Sequence, residues 1–271
     1  MEKTIVVLTG NARGGEKTWN SMYNNLLDPY NADLALCFGY SESKEASLYT
    51  KAKYVWEIPE YERWEDYYIE NLGEGQWKTS FEFGAETGFS GLYGTVGSGA
   101  IYAAFKHYLL NYKKETLLEY DRIIITRSDY FYISPQPVLS NDFFWAPTGE
   151  DYWGICDRYH SFPSKDISVA LGIVDYYINT EYLVEDLKSN YPYINLESSY
   201  FHHFRRSNYL DRVKRFPRVQ LLVKAQNDTT RWGCTDTTLP YNEDLLIKYQ
   251  SEYDECMKTI FTSYDNSFKN I

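Results

Sequence analysis

The pattern of apolar positions divides the first part of the chain into alternating strands and helices. Apolar runs at 4–8, 32–38 and 54–58 predict strands, and residues 18–27 have the spacing of an amphipathic helix. Glycine or proline closely follows each run, as expected where a strand ends in a loop. Strand, helix and strand at this spacing predict a parallel βαβ unit.

The middle of the chain contains the clearest signals. Residues 122–126 include three consecutive isoleucines, which is typical of a central strand buried on both faces. Residues 100–112 predict an amphipathic helix with the apolar stripe Ile101, Ala104, Phe105, Tyr108 and Leu109. Further predictions are extended segments at 130–133, 143–146 and 219–223, a surface segment with short helices at 60–96 and a loop at 147–163. Helices are predicted at 165–179, 181–190, 196–206 and from 243 onward. Ser164 and Asn195 are the expected N-caps of the helices that follow them.

Length and charge narrow the class of protein. The 271 residues contain no repeat or linker, so we predict one α/β domain whose Rossmann-like, mixed, mostly parallel sheet is flanked by helices. The net charge of −11 argues against nucleic acid and anionic membranes as partners. Four cysteines without CxxC spacing suit a reducing compartment. No apolar run approaches the roughly 18 residues of a membrane span, so we expect a cytoplasmic protein. Its oligomeric state is left open.

The sharpest candidate site directly follows the isoleucine strand. Arg127, Ser128 and Asp129 are polar residues at the end of a fully apolar run. Ligands bind at the carboxyl ends of strands in open α/β sheets, and a carboxylate there can hold a divalent cation. The alternative is a turn carboxylate satisfied by Arg127 or Arg122.

The loop after the first strand is a second candidate. Its sequence, GNARGGEKT at 10–18, nearly matches a phosphate-binding P-loop, but Glu16 separates the glycine from the lysine and excludes that function. Backbone N–H groups of such a glycine-rich turn can still contact a nucleotide. An ordinary turn between strand and helix is the alternative. The small residues at 94–99, which open the helix at 100, are a weaker candidate for binding an anion.

Three segments together resemble the GT-A glycosyltransferases, and in particular polysaccharide-building enzymes of bacteria and large DNA viruses. They are LTGNAR at 8–13, YDRIIITRSDY at 120–130 and GEDYWGICDR at 149–158, and the resemblance covers roughly the first 210 residues. It implies a nucleotide-binding half at 1–133 and an acceptor-binding half at 134–271. It also implies a nucleoside-diphosphate sugar as donor, bound by Thr9, Gly10, Asn11, Arg13, Arg127, Ser128, Asp129 and Arg158.

The resemblance implies a metal ion as well. Asp129 matches the metal-binding carboxylate of the family's DxD motif, so Mn²⁺ or Mg²⁺ is expected there. Arg127 occupies the position of the first acid of that motif, and the ribose-contacting carboxylate has no counterpart. Strict metal dependence is therefore open, because an arginine can itself offset phosphate charge.

Sugar transfer with inversion needs a carboxylate that deprotonates the acceptor hydroxyl. Asp157, in a glycine-containing loop, is the first candidate, and Glu197 at a helix start is the second. The alternatives are a solvated acidic loop for Asp157 and an interaction with the helix dipole for Glu197. His202 or His203 is a weaker candidate for the metal, and the segment 228–232 is a weaker candidate for a lid or a sugar-stacking ring.

The sequence thus predicts a cytoplasmic glycosyltransferase of polysaccharide synthesis, located in the host cytoplasm if its source is viral. It would move a sugar from a UDP- or GDP-sugar to a hydroxyl of a glycan acceptor with the help of a metal. A glycoside hydrolase that uses the carboxylate-rich loop is one alternative. A non-catalytic carbohydrate-binding protein that uses its many tyrosines and tryptophans is another.

Overall fold

The computed structural model describes residues 2–40, 44–75, 77–78, 99–179, 181–182, 185–186, 195–226, 228, 235 and 237–268. The strands in these ranges form two sheets. They are β1 (Thr4–Gly10), β2 (Asp33–Gly39), β3 (Tyr54–Ile58), β4 (Arg122–Thr126), β5 (Tyr130–Tyr132), β6 (Phe144–Pro147), β7 (His160–Pro163), β8 (Val213–Phe216), β9 (Gln220–Ala225), β10 (Thr238–Leu239) and β11 (Asn242–Ile247).

The larger sheet has seven strands among the described residues, in the order β3-β2-β1-β4-β7-β6-β8. Its first four strands are parallel, while β7 runs antiparallel to both β4 and β6. The strands β6 and β8 are parallel again. The central strands β1 and β4 are buried along nearly their whole length, which explains their uninterrupted apolar sequences.

Side chains alternate between the two faces of this sheet, and each face has its own core. Ile5, Val7, Ile123 and Ile125 belong to the first core, while Val6, Leu8 and Ile124 belong to the second.

The helix α1 (Gly15–Met22) continues through a π-helical segment (Tyr23–Leu27) into α2 (Asp28–Tyr30). The other helices are α3 (Ser47–Lys51), α4 (Trp64–Leu72), α5 (Gly99–Tyr112), α6 (Lys114–Leu117), α7 (Ile167–Leu171), α8 (Ile173–Ile178), α9 (Leu196–Arg206) and α10 (Gln250–Phe268).

A smaller sheet contains β5, the strand that follows the carboxyl end of β4. In the described ranges it contains four strands in the order β10-β11-β9-β5, and its pairings are antiparallel. It has its own small core, which includes Leu221, Val223, Ile247 and Cys256. Since β5 begins one residue after Asp129, this sheet continues the chain directly from the candidate strand end.

The structure confirms the predicted fold class, a mixed and mostly parallel sheet flanked by helices. Strands at the first three predicted positions are confirmed to within two residues, and α9 begins at its predicted N-cap Asn195, with a capping box. The predicted loop 147–163 is wrong at its end, which forms β7. The helix expected from 243 is wrong at its start, because 242–247 form β11.

Other predictions are changed in detail or lie outside the described residues. The helix predicted at 165–179 is a 3₁₀ turn (Ser164–Asp166) followed by α7 and α8, which are interrupted at Gly172. The predicted N-cap Ser164 is wrong, because it lies inside the 3₁₀ turn and makes no capping hydrogen bond. Residues 79–98, 187–194 and 231–232 are not described, so the predictions made for them stay predictions. None of the helices in the described ranges has the length and apolar character of a membrane span.

Candidate functional site

The sheet topology brings three segments to one edge. The strands β1 and β4 are parallel, so the loops after Gly10 and after Thr126 emerge side by side. The strand β7 is antiparallel to β4, and Ile125 pairs with His160. Residues just before His160 therefore lie beside residues just after Thr126, and this places Asp157 and Arg158 at the same edge as Asp129.

Ser128 joins the first loop to the end of β4. Its hydroxyl donates to the carbonyl of Asn11 at 2.6 Å and accepts from the N–H of Arg13 at 3.0 Å. Thr9 is buried, and its hydroxyl donates to the carbonyl of Thr126 at 3.4 Å. Gly10 has a φ of +113°, a conformation that glycine tolerates best, and it turns the chain out of β1. The structure thus brings the predicted nucleotide-binding residues of both segments together.

Two backbone N–H groups of the glycine-rich turn are hydrogen-bonded within the protein. The N–H of Gly14 donates to Asp228 at 2.8 Å, and the N–H of Arg13 already serves Ser128. Asp228 also accepts from the N–H of Ala225 at 3.1 Å, so this carboxylate ties the turn to β9. In this arrangement the backbone of the turn has fewer free donors for phosphate than its sequence suggested. The side chain of Arg13 is the main group that it offers.

Arg127 and Asp129 form a two-point ion pair at the end of β4. The Nε and Nη2 atoms of Arg127 donate to the two oxygens of Asp129 at 2.6 and 2.7 Å. Burial on its own would raise the pKa of Asp129, but the Arg127 guanidinium outweighs it and the pKa lies below its ordinary value. The guanidinium carbon lies 5.3 Å from the ring centre of Tyr102 on α5. This is the arrangement in which Asp129 is satisfied by Arg127, which the sequence left as an alternative.

The donor atoms at this strand end do not fit a divalent cation. Mn²⁺ or Mg²⁺ needs several oxygen ligands, of which carboxylates are the usual protein donors. Across the described ranges, no cluster of three or more His, Cys, Asp or Glu side chains is arranged to hold a metal. Both oxygens of Asp129 are bound by a guanidinium, so a cation there would lie against a positive charge. The metal expected at Asp129 therefore stays a prediction, which binding experiments decide.

The two candidate bases, Asp157 and Glu197, contact each other. Their carboxyl groups are hydrogen-bonded, and burial together with the negative charge of Asp157 raises the pKa of Glu197 well above its ordinary value. Lys106 lies beneath the pair, fully buried, and its ammonium donates to the backbone carbonyl of Asp157 at 2.9 Å. Burial lowers the pKa of Lys106 to about 8. Of the two carboxyl groups, Glu197 is therefore the one whose ionisation its surroundings disfavour.

A strained loop holds this pair in place. Glu150, Tyr152 and Trp153 all have positive φ values, of 55°, 39° and 68°, which are costly for residues with a side chain. A Cβ atom at Gly154 would overlap the backbone of Glu197, so only glycine allows the loop to lie this close to α9. The N–H of Ile155 then donates to the Glu197 carbonyl at 3.0 Å. Tyr152 and Trp153 are exposed at the rim, with 45% and 64% of their surfaces accessible.

The raised pKa of Glu197 predicts a pH-dependent stability effect. The folded state keeps a proton that the unfolded chain releases near pH 4.5, so stability falls as the pH rises through and above that value. Glu197→Gln removes this penalty. We expect its melting temperature to exceed that of the unmodified protein by several degrees near pH 8 and to match it near pH 4. Thermal melts at the two pH values test this, with the exposed Glu62→Gln as control. Equal melting temperatures at both values would contradict a raised pKa.

Arg158 connects the carboxyl pair to a second buried network. It lies 3.7 Å from Asp157, 3.3 Å from Glu150 and 3.5 Å from Glu252. Glu252 also accepts from Arg218 at 3.0 Å, and both of these side chains are fully buried. Arg158 is therefore largely neutralised by carboxylates of the protein, so its predicted phosphate contact stays a prediction.

Sequence reasoning missed three residues of this site: Tyr102, Lys106 and Lys248. Tyr102 lies beside the strand end, because its ring centre is 5.3 Å from the guanidinium carbon of Arg127. Lys106 gave a usable signal, since it is a charged residue within the nearly all-buried first half of α5. Lys248 gave none, because it follows a strand that had been predicted as a helix.

His202 and His203, the weaker candidates for the metal, contact groups outside the strand end. His203 makes a hydrogen bond with the carbonyl of Val169 at 2.8 Å, and the Nδ1 atom of His202 lies 3.7 Å from Asp186. These contacts give both rings structural partners. The predicted segment 228–232 is described only at Asp228, which binds the turn at Gly14.

Comparisons with known proteins found matches among solved structures. No known family model and no curated protein matches the sequence. The fold is similar to that of apo mouse xyloside xylosyltransferase 1, with 11% sequence identity and a TM-score of 0.42, over 79% of this chain and 84% of that chain. A similarity of this size carries no argument about function, so the function is argued from the geometry of the site.

Proposed function

We propose that the protein is a glycosyltransferase that moves a sugar from a nucleoside-diphosphate sugar to a hydroxyl group of a glycan acceptor. The observation that carries this proposal is the position of the Asp157–Glu197 pair. Lys106 on α5 contacts Asp157, and Tyr102, one helix turn earlier, contacts Arg127. The pair therefore lies near the strand end, where Arg13 and Lys248 also act on Asp129. A base beside a cation-rich strand end suits a reaction with a hydroxyl nucleophile and an anionic leaving group.

The residues have separate tasks in this reaction. Asp157 accepts the proton of the acceptor hydroxyl as its oxygen bonds to the anomeric carbon. The bond between that carbon and the phosphate oxygen breaks, and its electron pair leaves with the diphosphate. Glu197, whose ionisation is disfavoured, donates a hydrogen bond to Asp157 and orients its side chain, and the ammonium of Lys106 fixes the backbone of Asp157. This assignment applies to transfer with inversion.

The geometry of the pair argues against a glycoside hydrolase. Hydrolases of this kind hold their two carboxyl groups roughly 5–5.5 Å or 6.5–9.5 Å apart, which leaves room for the sugar or for water. Here the two groups are hydrogen-bonded to each other, so neither sugar nor water lies between them. A pure binding protein would in turn have no need for a base with a protonated partner.

A panel of UDP- and GDP-sugars tests the proposal. We expect calorimetry to detect binding of at least one donor, and mass spectrometry to detect its nucleoside diphosphate once a glycan acceptor is added. Each titration is made with EDTA and with Mn²⁺, so that the outcome does not depend on the metal. If no nucleotide sugar binds under either condition, the proposal is wrong. Hydrolysis of aryl glycosides without any nucleotide would favour a hydrolase.

A further inference from the structure

The strand end holds more positive charge than the protein itself neutralises. Asp129 is paired with Arg127, and its pKa is further lowered by the nearby charges of Lys248 and Arg13. Lys248 and Arg13 therefore add their positive charges to that of Arg127 near one carboxylate. In the described part of the chain, no carboxylate forms an ion pair with Arg13 or Lys248. Such an excess at a partly buried site favours an anionic ligand.

Backbone hydrogen bonds fix the position of Lys248 independently of charge. The Asp129 carbonyl accepts from Val223 on β9 at 2.9 Å. Val223 pairs with Ile247 on β11, and the N–H of Lys248 donates to the Leu222 carbonyl at 2.9 Å. Lys248 therefore lies across the small sheet from Asp129. Arg13 is held from the opposite side through Ser128.

The environment of Lys248 is unusual for a lysine. Lys248 is only 7% exposed, and its ammonium lies 5.7 Å from the ring centre of Tyr249, without an ion pair to any carboxylate in the described ranges. Burial, together with the positive charge of Arg127, lowers the pKa of the amine to about 8. The carboxylate that acts on this amine is Asp129, and Arg127 already binds both oxygens of that carboxylate. Lys248 therefore has no carboxylate of its own, and an anionic ligand would supply its counterion.

We propose that Arg13, Arg127 and Lys248 bind the diphosphate of the donor directly, without a divalent cation. This inference rests on the proposed function for the identity of the ligand. The Nε and Nη2 atoms of Arg127 bind Asp129, so its Nη1 atom is left as the donor to phosphate. The ammonium of Lys248 adds a second positive charge. When the bond to the anomeric carbon breaks, the electron pair on the departing phosphate oxygen is stabilised by these cations. Asp129 acts as a positioning residue for Arg127.

Calorimetry with EDTA-treated protein tests this directly, with inorganic pyrophosphate, UDP and GDP as probes. We expect at least one of these diphosphates to bind in EDTA, with a dissociation constant that Mn²⁺ changes less than about threefold. Lys248→Met is expected to weaken that binding by at least about tenfold, and Lys248→Arg should restore most of it. Lys53→Met is the matched control, because Lys53 is an exposed lysine paired with Asp33 and lies outside every candidate segment. It should bind like the unmodified protein.

The outcomes separate this inference from the proposed function. Sugar transfer that requires Mn²⁺ would leave the function standing and overturn the metal-free site. Pyrophosphate binding in EDTA that Lys248→Met abolishes, without binding of any nucleotide sugar, would support the site and overturn the function. Unchanged binding by Lys248→Met would overturn the site as well. Because Met removes a buried charge at similar volume, the variant should fold, and its melting curve checks this.

Discussion

Asp157→Asn is expected to lower kcat by about 10²–10⁴-fold while leaving donor binding within about twofold of the unmodified protein. Asparagine has nearly the shape of aspartate but cannot accept the acceptor proton. The backbone contact between Asp157 and Lys106 does not depend on the side chain, so the fold should remain intact. Transfer rates at saturating donor and acceptor measure the loss, and donor calorimetry measures the binding.

Glu197→Gln is the matched control for this substitution. If Glu197 is protonated at neutral pH, glutamine replaces one neutral hydrogen-bond donor with another, and kcat should fall by less than about tenfold. The two variants together identify the base. A large loss in Glu197→Gln with a small loss in Asp157→Asn would assign the base to Glu197. Equal small losses would remove both residues from the chemistry.

Arg218→Met is expected to produce the largest loss of stability, about 3–5 kcal/mol. Arg218 and Glu252 are both fully buried and lie 3.0 Å apart, so the substitution leaves a carboxylate without its main counterion. The guanidinium also donates to the carbonyls of Thr148 and Gly149 at 2.8 and 3.0 Å. For a protein of this size the melting temperature should fall by roughly 6–20 °C.

Two further variants separate lost charge pairing from lost packing. Arg218→Met combined with Glu252→Gln should recover part of the loss, because glutamine removes the isolated charge and can still accept from the N–H of Leu222. Arg212→Met removes a more exposed ion pair with Asp166 and should cost about 1 kcal/mol or less. If Arg218→Met melts within about two degrees of the unmodified protein, the buried network is not a major source of stability.

The parts of the fold that followed from sequence share a simple property. The strands β1, β2 and β4 are apolar on both faces, and α9 has a capping box at its start, so local sequence and tertiary environment agree. The strand β7 was missed because its four residues, HSFP, contain two polar positions and a proline, although all four are buried. The strand β11 was missed because its first three residues are polar, and these three residues are exposed or half-buried.

The candidate site was predictable to a similar extent. Asp129, Ser128 and Arg13 were expected together, since each follows a strand that sequence identifies, and the structure places them together. The contact between Asp157 and Glu197 could not be predicted, because it depends on β7 and on the close approach of Gly154 to α9. Lys248 reaches the site through β11, whose pairing connects residues that are distant in sequence.

The order of strands in the large sheet also has a consequence for how the chain folds during synthesis. The strand β1 can pair with β2 early in synthesis, but its other edge pairs with β4. The Thr9 hydroxyl, for example, donates to a carbonyl 117 residues later in the chain. At a translation rate of 5–20 residues per second, the edge of β1 that pairs with β4 stays unpaired for roughly 6–23 s. Throughout this interval an apolar strand with open backbone donors and acceptors is exposed to other nascent chains. Expression at lower temperature or with added chaperones should therefore raise the yield of folded protein.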